Sequence, residues 1–247
     1  MASSLPELLI AGGIALFQAM PADGQEATAQ PLDTSAVTEV AITGEAASVR
    51  LSTDPGSPYR ASAGSVRTGW FAKWYSSWLA NDCAASTRMR IDGPVLRVET
   101  APASWLDPSD CSVRVDINMP AGGSVSIEQQ AFMAKLTGLF ERIAVAGRAA
   151  DFTMDGRAGT VTIDGDAVRA HIAFSGTGRD ETIAIRADAL DAYLEFGKDV
   201  PIGYSVEATA SLVDSAIPNT PGTGPQVSLA GKFVRATIRR GPDGAPP

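Results

Sequence analysis

Residues 143–176 read IAVAGRAADFTMDGRAGTVTIDGDAVRAHIAFSG, and four copies of one five-residue unit lie inside that stretch. The unit is apolar, any, apolar, any, glycine: Ile143–Gly147, Phe152–Gly156, Val161–Gly165 and Ile172–Gly176. Glycines 147, 156 and 165 are nine residues apart, and the next follows after eleven. Such alternation puts the apolar pair on one face of a strand and the small or polar residues on the other. The closing glycine can take a positive φ, which lets the chain turn at once.

Working outward, the unit recurs as Val40–Gly44 and Met89–Gly93. Val95–Val98, Val113–Ile117, Val125–Ile127, Ile183–Arg186 and Val234–Ile238 alternate in the same way. Each reads as a strand of four to six residues with one wet side. Near-identical units at constant spacing favour stacked coils. A β-sandwich is the alternative, but hairpin signals such as Asn-Gly are absent. The expected fold is all-β: a β-solenoid with two or more short strands per coil, forming one domain over residues 30–241. Residues 242–247 read as a disordered tail, and Ile217–Gln226 as a loop before a last strand.

Composition agrees. Of 247 residues, 45% are hydrophobic and 19% charged, enough for a sizeable core and against wholesale disorder. The formal net charge of −8 argues against a nucleic-acid partner, because phosphate binding needs clustered Lys and Arg. The apolar run Leu8–Met20 is too short to span a bilayer comfortably and fits the hydrophobic region of a secretory signal within residues 1–29. Cleavage after Ala22 or at Ala27–Ala29 would suit it, although no Lys or Arg precedes the run. A buried or anchoring helix is the other reading. Export also suits Cys83 and Cys111, an even count that suggests a bridge closing 27 intervening residues, worth roughly 3.5 kcal/mol. Two free buried thiols remain an alternative.

Trp70, Phe71, Trp74, Tyr75, Trp78 and Leu79 trace one face of a short helix, with Ala72, Lys73, Ser76 and Ser77 on the other. Such a helix either caps an open end of the stack or forms an exposed aromatic patch for a membrane surface, a glycan or a partner protein. His171 precedes an inward pair and so points outward. Asp92, Asp155, Asp164, Asp166 and Asp180 collect at turns, where Asp beside Gly is ordinary turn chemistry. Stacked on adjacent coils, they could instead bind calcium or form a glycosidase pair. No catalytic residue, metal set or cofactor motif stands out. Arg90, Thr153, Thr162 and Arg169 are candidate outward contacts.

The rhythm of apolar-x-apolar-x-Gly units after a signal-like start resembles the bacterial "putative adhesin" family, including auto-transporter adhesin head (GIN-type) domains. The resemblance covers roughly residues 37–240. It implies a right-handed parallel β-helix in the cell envelope, periplasmic or surface-exposed, and brings no catalytic residue with it. The aromatic segment and the paired cysteines depart from the pattern. The expected role is non-enzymatic, in adhesion or protein or glycan binding. A polysaccharide-active enzyme on a β-helix and a structural envelope assembly protein are the alternatives.

Overall fold

The alternation slips phase once in each repeat, and that slip shapes the molecule. Val40 and Ile42 are buried, then Ala47, Val49 and Leu51, so the inward face moves by an odd number of residues at Glu45. A strand whose inward face shifts in this way must bend, and the chain turns a corner there.

The computed structural model describes residues 30–67, 87–100, 111–175, 180–197 and 200–241. They form ten strands and their connections, with no helix among them. In chain order these are β1 (Leu32–Asp33), β2 (Glu39–Ser52), β3 (Arg60–Arg67), β4 (Thr87–Asp92), β5 (Val95–Thr100), β6 (Cys111–Asn118), β7 (Gly123–Phe174), β8 (Thr182–Phe196), β9 (Gly203–Ser215) and β10 (Gln226–Arg240). The pairing runs β1-β3-β6-β2-β7-β8-β10-β9, with β5 also on β2 and β4 on β5. From β5 and β6 through to β9 the neighbours are parallel, whereas β4, β3 and β1 are antiparallel at the first end. All-β is therefore the fold class, with one open sheet rather than the antiparallel hairpins of a sandwich.

β7 is 52 residues long because it makes several passes of the stack without leaving strand conformation. Its first pass is in register with β2, Val40 on Val125 and Val49 on Ala134. Its last is in register with β8, Val161 on Ile183 and Ala170 on Ala192. Between them the chain overlies itself every eighteen residues: Gly165 on Gly147, Gly156 on Gly138, and Gly147 on Gln129. The nine-residue spacing is thus half of a pass. Each pass has a first arm, a corner, a second arm and a short return.

Strands of four to six residues were expected; β4 and β5 have six, whereas β2, β7, β8, β9 and β10 run longer because the corners keep their ladder partners. Inside, the columns are apolar from rung to rung. Ile42, Ile127, Val145, Ile163, Ile185 and Leu229 stack along the first arm, none more than 3% exposed. Burying a side chain of this size is worth about 1.5–3 kcal/mol before its entropy cost.

The motif glycines do two different jobs. Gly44 and Gly156 hold φ of 128° and 143°, the left-handed region expected of a turning glycine. Gly147 and Gly165 do not; they are glycine for lack of room. A Cβ on Gly165 would stand 2.5 Å from the Gly147 carbonyl oxygen and 2.8 Å from Val168 Cγ2. Gly93 (φ 59°) belongs with the first group, a turning glycine with open space around it. With Pro94 it forms the two-residue loop of the antiparallel β4–β5 hairpin, so a hairpin signal, glycine first in a two-residue loop, was present after all.

At the first end the loop 53–59 is held by one buried amide. Asn118 Nδ2 donates to the carbonyls of Asp54, Ser57 and Pro58, and its Oδ1 accepts from Ser52 Oγ and the Asp54 N–H. Five partners satisfy a side chain that would otherwise be costly to bury. At the other end the last strand in sequence, β10, inserts between β8 and β9. The penultimate strand is therefore outermost. No helix among the described residues is long and apolar enough to cross a membrane.

Candidate binding face

Alternation that buries 150, 152 and 154 turns 149, 151, 153 and 155 outward, and the register repeats this on every pass. The second arms together form one outward face. Asp151, Arg169, Asp191 and Arg235 follow one another across it as a ladder of alternating charge. Arg169 lies 3.8 Å from Asp151, its neighbour eighteen residues back. The next column carries Thr153, His171, Tyr193 and Thr237. The His171 and Tyr193 rings meet at 4.7 Å between centroids, tilted by 48°. Tyr193 donates its hydroxyl to Glu195 Oε1 at 2.9 Å, and that bond raises the hydroxyl pKa above its usual value. At the far edge Arg239 pairs with Asp214, whose pKa the hydrogen bond from Arg239 lowers.

Exposed ion pairs of this kind contribute little to stability. Their effect is to fix, about 4.8 Å apart, a row of groups that accept and donate hydrogen bonds. Asp214 titrates lower in the folded protein than in the unfolded chain. Its pair is therefore fully formed above the ordinary carboxylate pKa of 3.8 and is lost only as pH falls through the lowered value.

A concave surface follows the corner between the arms. It is an open groove of about 940 Å³ whose floor is Gly165, Ala187, Gly231 and Ala208. Asp164, Arg186 and Glu207 flank one side; Asp166, Asp188 and Lys232 flank the other. Most of these charges are already paired: Arg186 with Asp164 at 3.5 Å, Lys232 with Asp188 at 2.6 Å, and Asp166 with Arg148 at 3.4 Å. The hydrogen bond to Asp188 raises the Lys232 pKa.

His171 is exposed, as its place in the alternation required. Its partner Tyr193 was not singled out in the sequence, because the twenty-two-residue step from β7 to β8 breaks the eighteen-residue period. Arg169 and Thr153 share this face. Thr162 lies on the first arm, and Arg90 on β4, paired with Asp92 and Glu99. The five turn aspartates are distributed rather than gathered. Asp92 is bound by Arg90 and Arg97, Asp155 edges the second arm, Asp164 and Asp166 flank the corner, and Asp180 precedes β8. Among the described residues no group of three or more His, Cys, Asp or Glu could hold a metal ion. Arg157 and the buried Glu181, 2.7 Å apart, are a further pair that periodicity did not reveal.

Trp70, Phe71, Trp74, Tyr75 and Trp78, the helix expected of them, Cys83, the signal segment 1–29 and the tail 242–247 lie outside the described residues. Cys111 opens β6, its backbone opposite Arg67.

No family model matches the sequence, and no curated protein matches it. Among solved structures, the chain is similar to a "putative cell adhesion protein" from Clostridium sporogenes ATCC 15579, with a TM-score of 0.43 at 8% identity. That likeness covers 88% of this chain and 100% of the other. It is also similar to a "putative adhesin" from Bacteroides fragilis NCTC 9343, with a TM-score of 0.39 at 8% identity, over 88% of this chain and 98% of that one.

Proposed function

We propose that the chain is an exported, non-enzymatic β-solenoid of the cell envelope, and that the outward face of its second arms binds an extended glycan in adhesion. The observation that carries this reading is the Asp151–Arg169–Asp191–Arg235 ladder beside the His171–Tyr193 pair. An aromatic ring offers its face to the apolar C–H side of a sugar. Flanking carboxylates accept from sugar hydroxyls, and guanidinium groups donate to them or to acidic substituents. A linear polymer presents such groups at regular intervals, and a stacked scaffold holds the complementary groups in place without an ordering cost at binding. The parallel registers support the solenoid, and the apolar run Leu8–Met20 supports export.

A glycan array probed with the full chain tests the reading. Binding is expected to a limited set of linear glycans and to fall at least about tenfold in Arg169→Ala and in Tyr193→Ala, both of which should still fold. Equal binding by the folded variants, or no glycan bound by the wild type, would count against this face.

A further inference from the structure

The two ends of the stack are finished differently. At the first end, the outer strands are short: β1 has two residues, and β4 has six with Arg88, Arg90 and Asp92 among them. Short, charged edges resist pairing with other chains. The other end stops at the thirteen-residue β9, which pairs only with β10 among the described strands. β9 carries no Lys, no Pro and no charge on its inward face. The inward positions above Leu229 and Ala236 are Val206 and Val213, half-buried where the rungs below are 0% and 1% exposed.

Backbone direction defines the free part of this edge. The Gly203 N–H donates to Pro225 and the Ala216 N–H to Ile238, so these residues face down into the stack. Counting alternately from each, residues 205 and 207 and residues 210, 212 and 214 also face down. Tyr204, Val206, Ala208, Ser211, Val213 and Ser215 therefore turn their N–H and C=O groups away from β10. Asn219 closes the first of these, accepting from the Tyr204 N–H at 3.0 Å and donating to its carbonyl at 2.8 Å. Among the described residues Val206, Ala208, Ser211 and Val213 remain open, with Ser215 at the end of the strand.

These four are placed symmetrically about the corner at Thr209 and Ala210. An antiparallel copy of the same strand, bent at the same corner, sets Val206 opposite Val213 and Ala208 opposite Ser211, and the reverse. The backbone groups of these four residues then all find partners, Ser215 falls opposite the already closed Tyr204 and is left to water, and every inward side chain meets an inward side chain. A straight strand could match only one arm. On the outside, Glu207 falls opposite Leu212, which is 64% exposed, and Asp214 opposite Ser205, so no like charges oppose.

We infer that β9 is a dimerisation edge, closed by a second copy of this chain through two-fold antiparallel pairing. A two-fold contact of this kind is self-complementary and ends growth, leaving the second-arm faces of both copies open.

Sedimentation equilibrium of the full chain tests this. The wild type should sediment as a monomer–dimer mixture moving to dimer with concentration. Leu212→Glu puts two pairs of like charges across the interface and should raise the dimer dissociation constant at least about tenfold. Leu212 is exposed, so the variant should keep the wild-type circular dichroism and melting temperature. Adding Glu207→Lys to Leu212→Glu should restore dimerisation. A wild type that stays monomeric to about 0.5 mM, a range that would capture even weak association, overturns the inference. So do open-ended multimers, or a dimer that Leu212→Glu leaves intact.

Discussion

Gly156→Val should destabilise the protein by roughly 3–6 kcal/mol, a large part of the stability of an ordinary domain. Two costs add. The residue sits at φ 143°, where a β-branched side chain is strained. Its Cβ would also stand 2.0 Å from the Gly138 carbonyl oxygen and 2.8 Å from the Gly138 nitrogen. Both contacts are backbone atoms of the pass before, so the neighbour cannot move aside by changing rotamer. Relief requires the passes to separate, which would break ladder bonds on both arms. Gly64→Val in β3 is the control, because nothing lies within 4 Å of its Cβ and its φ is not positive. Its effect should stay within about 1 kcal/mol. Urea melts of the two variants make the comparison.

Phe152→Ala is expected to cost about 3–5 kcal/mol. Phe152 is fully buried in a column whose neighbours on adjacent passes are Ala134 and Ala170, eighteen residues to either side. One ring therefore fills the space of three rungs. The next rung beyond Ala170 is Ala192, and the one after that Ala236, so no large side chain on these rungs can lean in to close the gap. Removing the ring leaves a cavity close to its full volume. Ala170→Leu added to Phe152→Ala should recover part of the loss, because it returns volume to the same column. Recovery from a distant core alanine, such as Ala61, would contradict the stacking. Phe132, between Ala47 and Ala150, is built in the same way.

The inward face of the protein could be read almost directly from the sequence. Val40 and Ile42, Ile143 and Val145, Phe152 and Met154, Val161 and Ile163, and Ile172 and Phe174 are all buried. Met89 and Ile91 show the same pattern but are less covered, because β4 is an antiparallel edge that pairs only with β5 among the described strands. Period alone could not distinguish a pass from half a pass. Glycines 147 and 156 lie nine residues apart on different corners, and only the stacking of Gly165 on Gly147 shows which ones meet.

The insertion of β10 between β8 and β9 was not legible at all. Local pattern specifies a strand and its faces but not the neighbour it chooses, and β10 offers Val227, Leu229, Val234, Ala236 and Ile238 to either side equally well. The candidate binding face was legible in parts. Arg169, Thr153 and His171 point outward as alternation requires. Their assembly with Asp191, Tyr193 and Arg235 depends on the twenty-two- and forty-four-residue steps to β8 and β10, which follow from loop lengths rather than from the repeat.

The eighteen-residue register is what places the second arms on one face. Paired cysteines at Thr153 and His171 test it most directly, with peptide mapping to identify the bridge formed under mild oxidation. Adjacent parallel rungs lie about 4.8 Å apart, within the range a disulfide spans. A 153–171 bridge is expected in the folded protein and none between cysteines placed at Thr153 and Thr162, nine residues apart on different arms. A 153–162 bridge, or no 153–171 bridge in a folded variant, would contradict it.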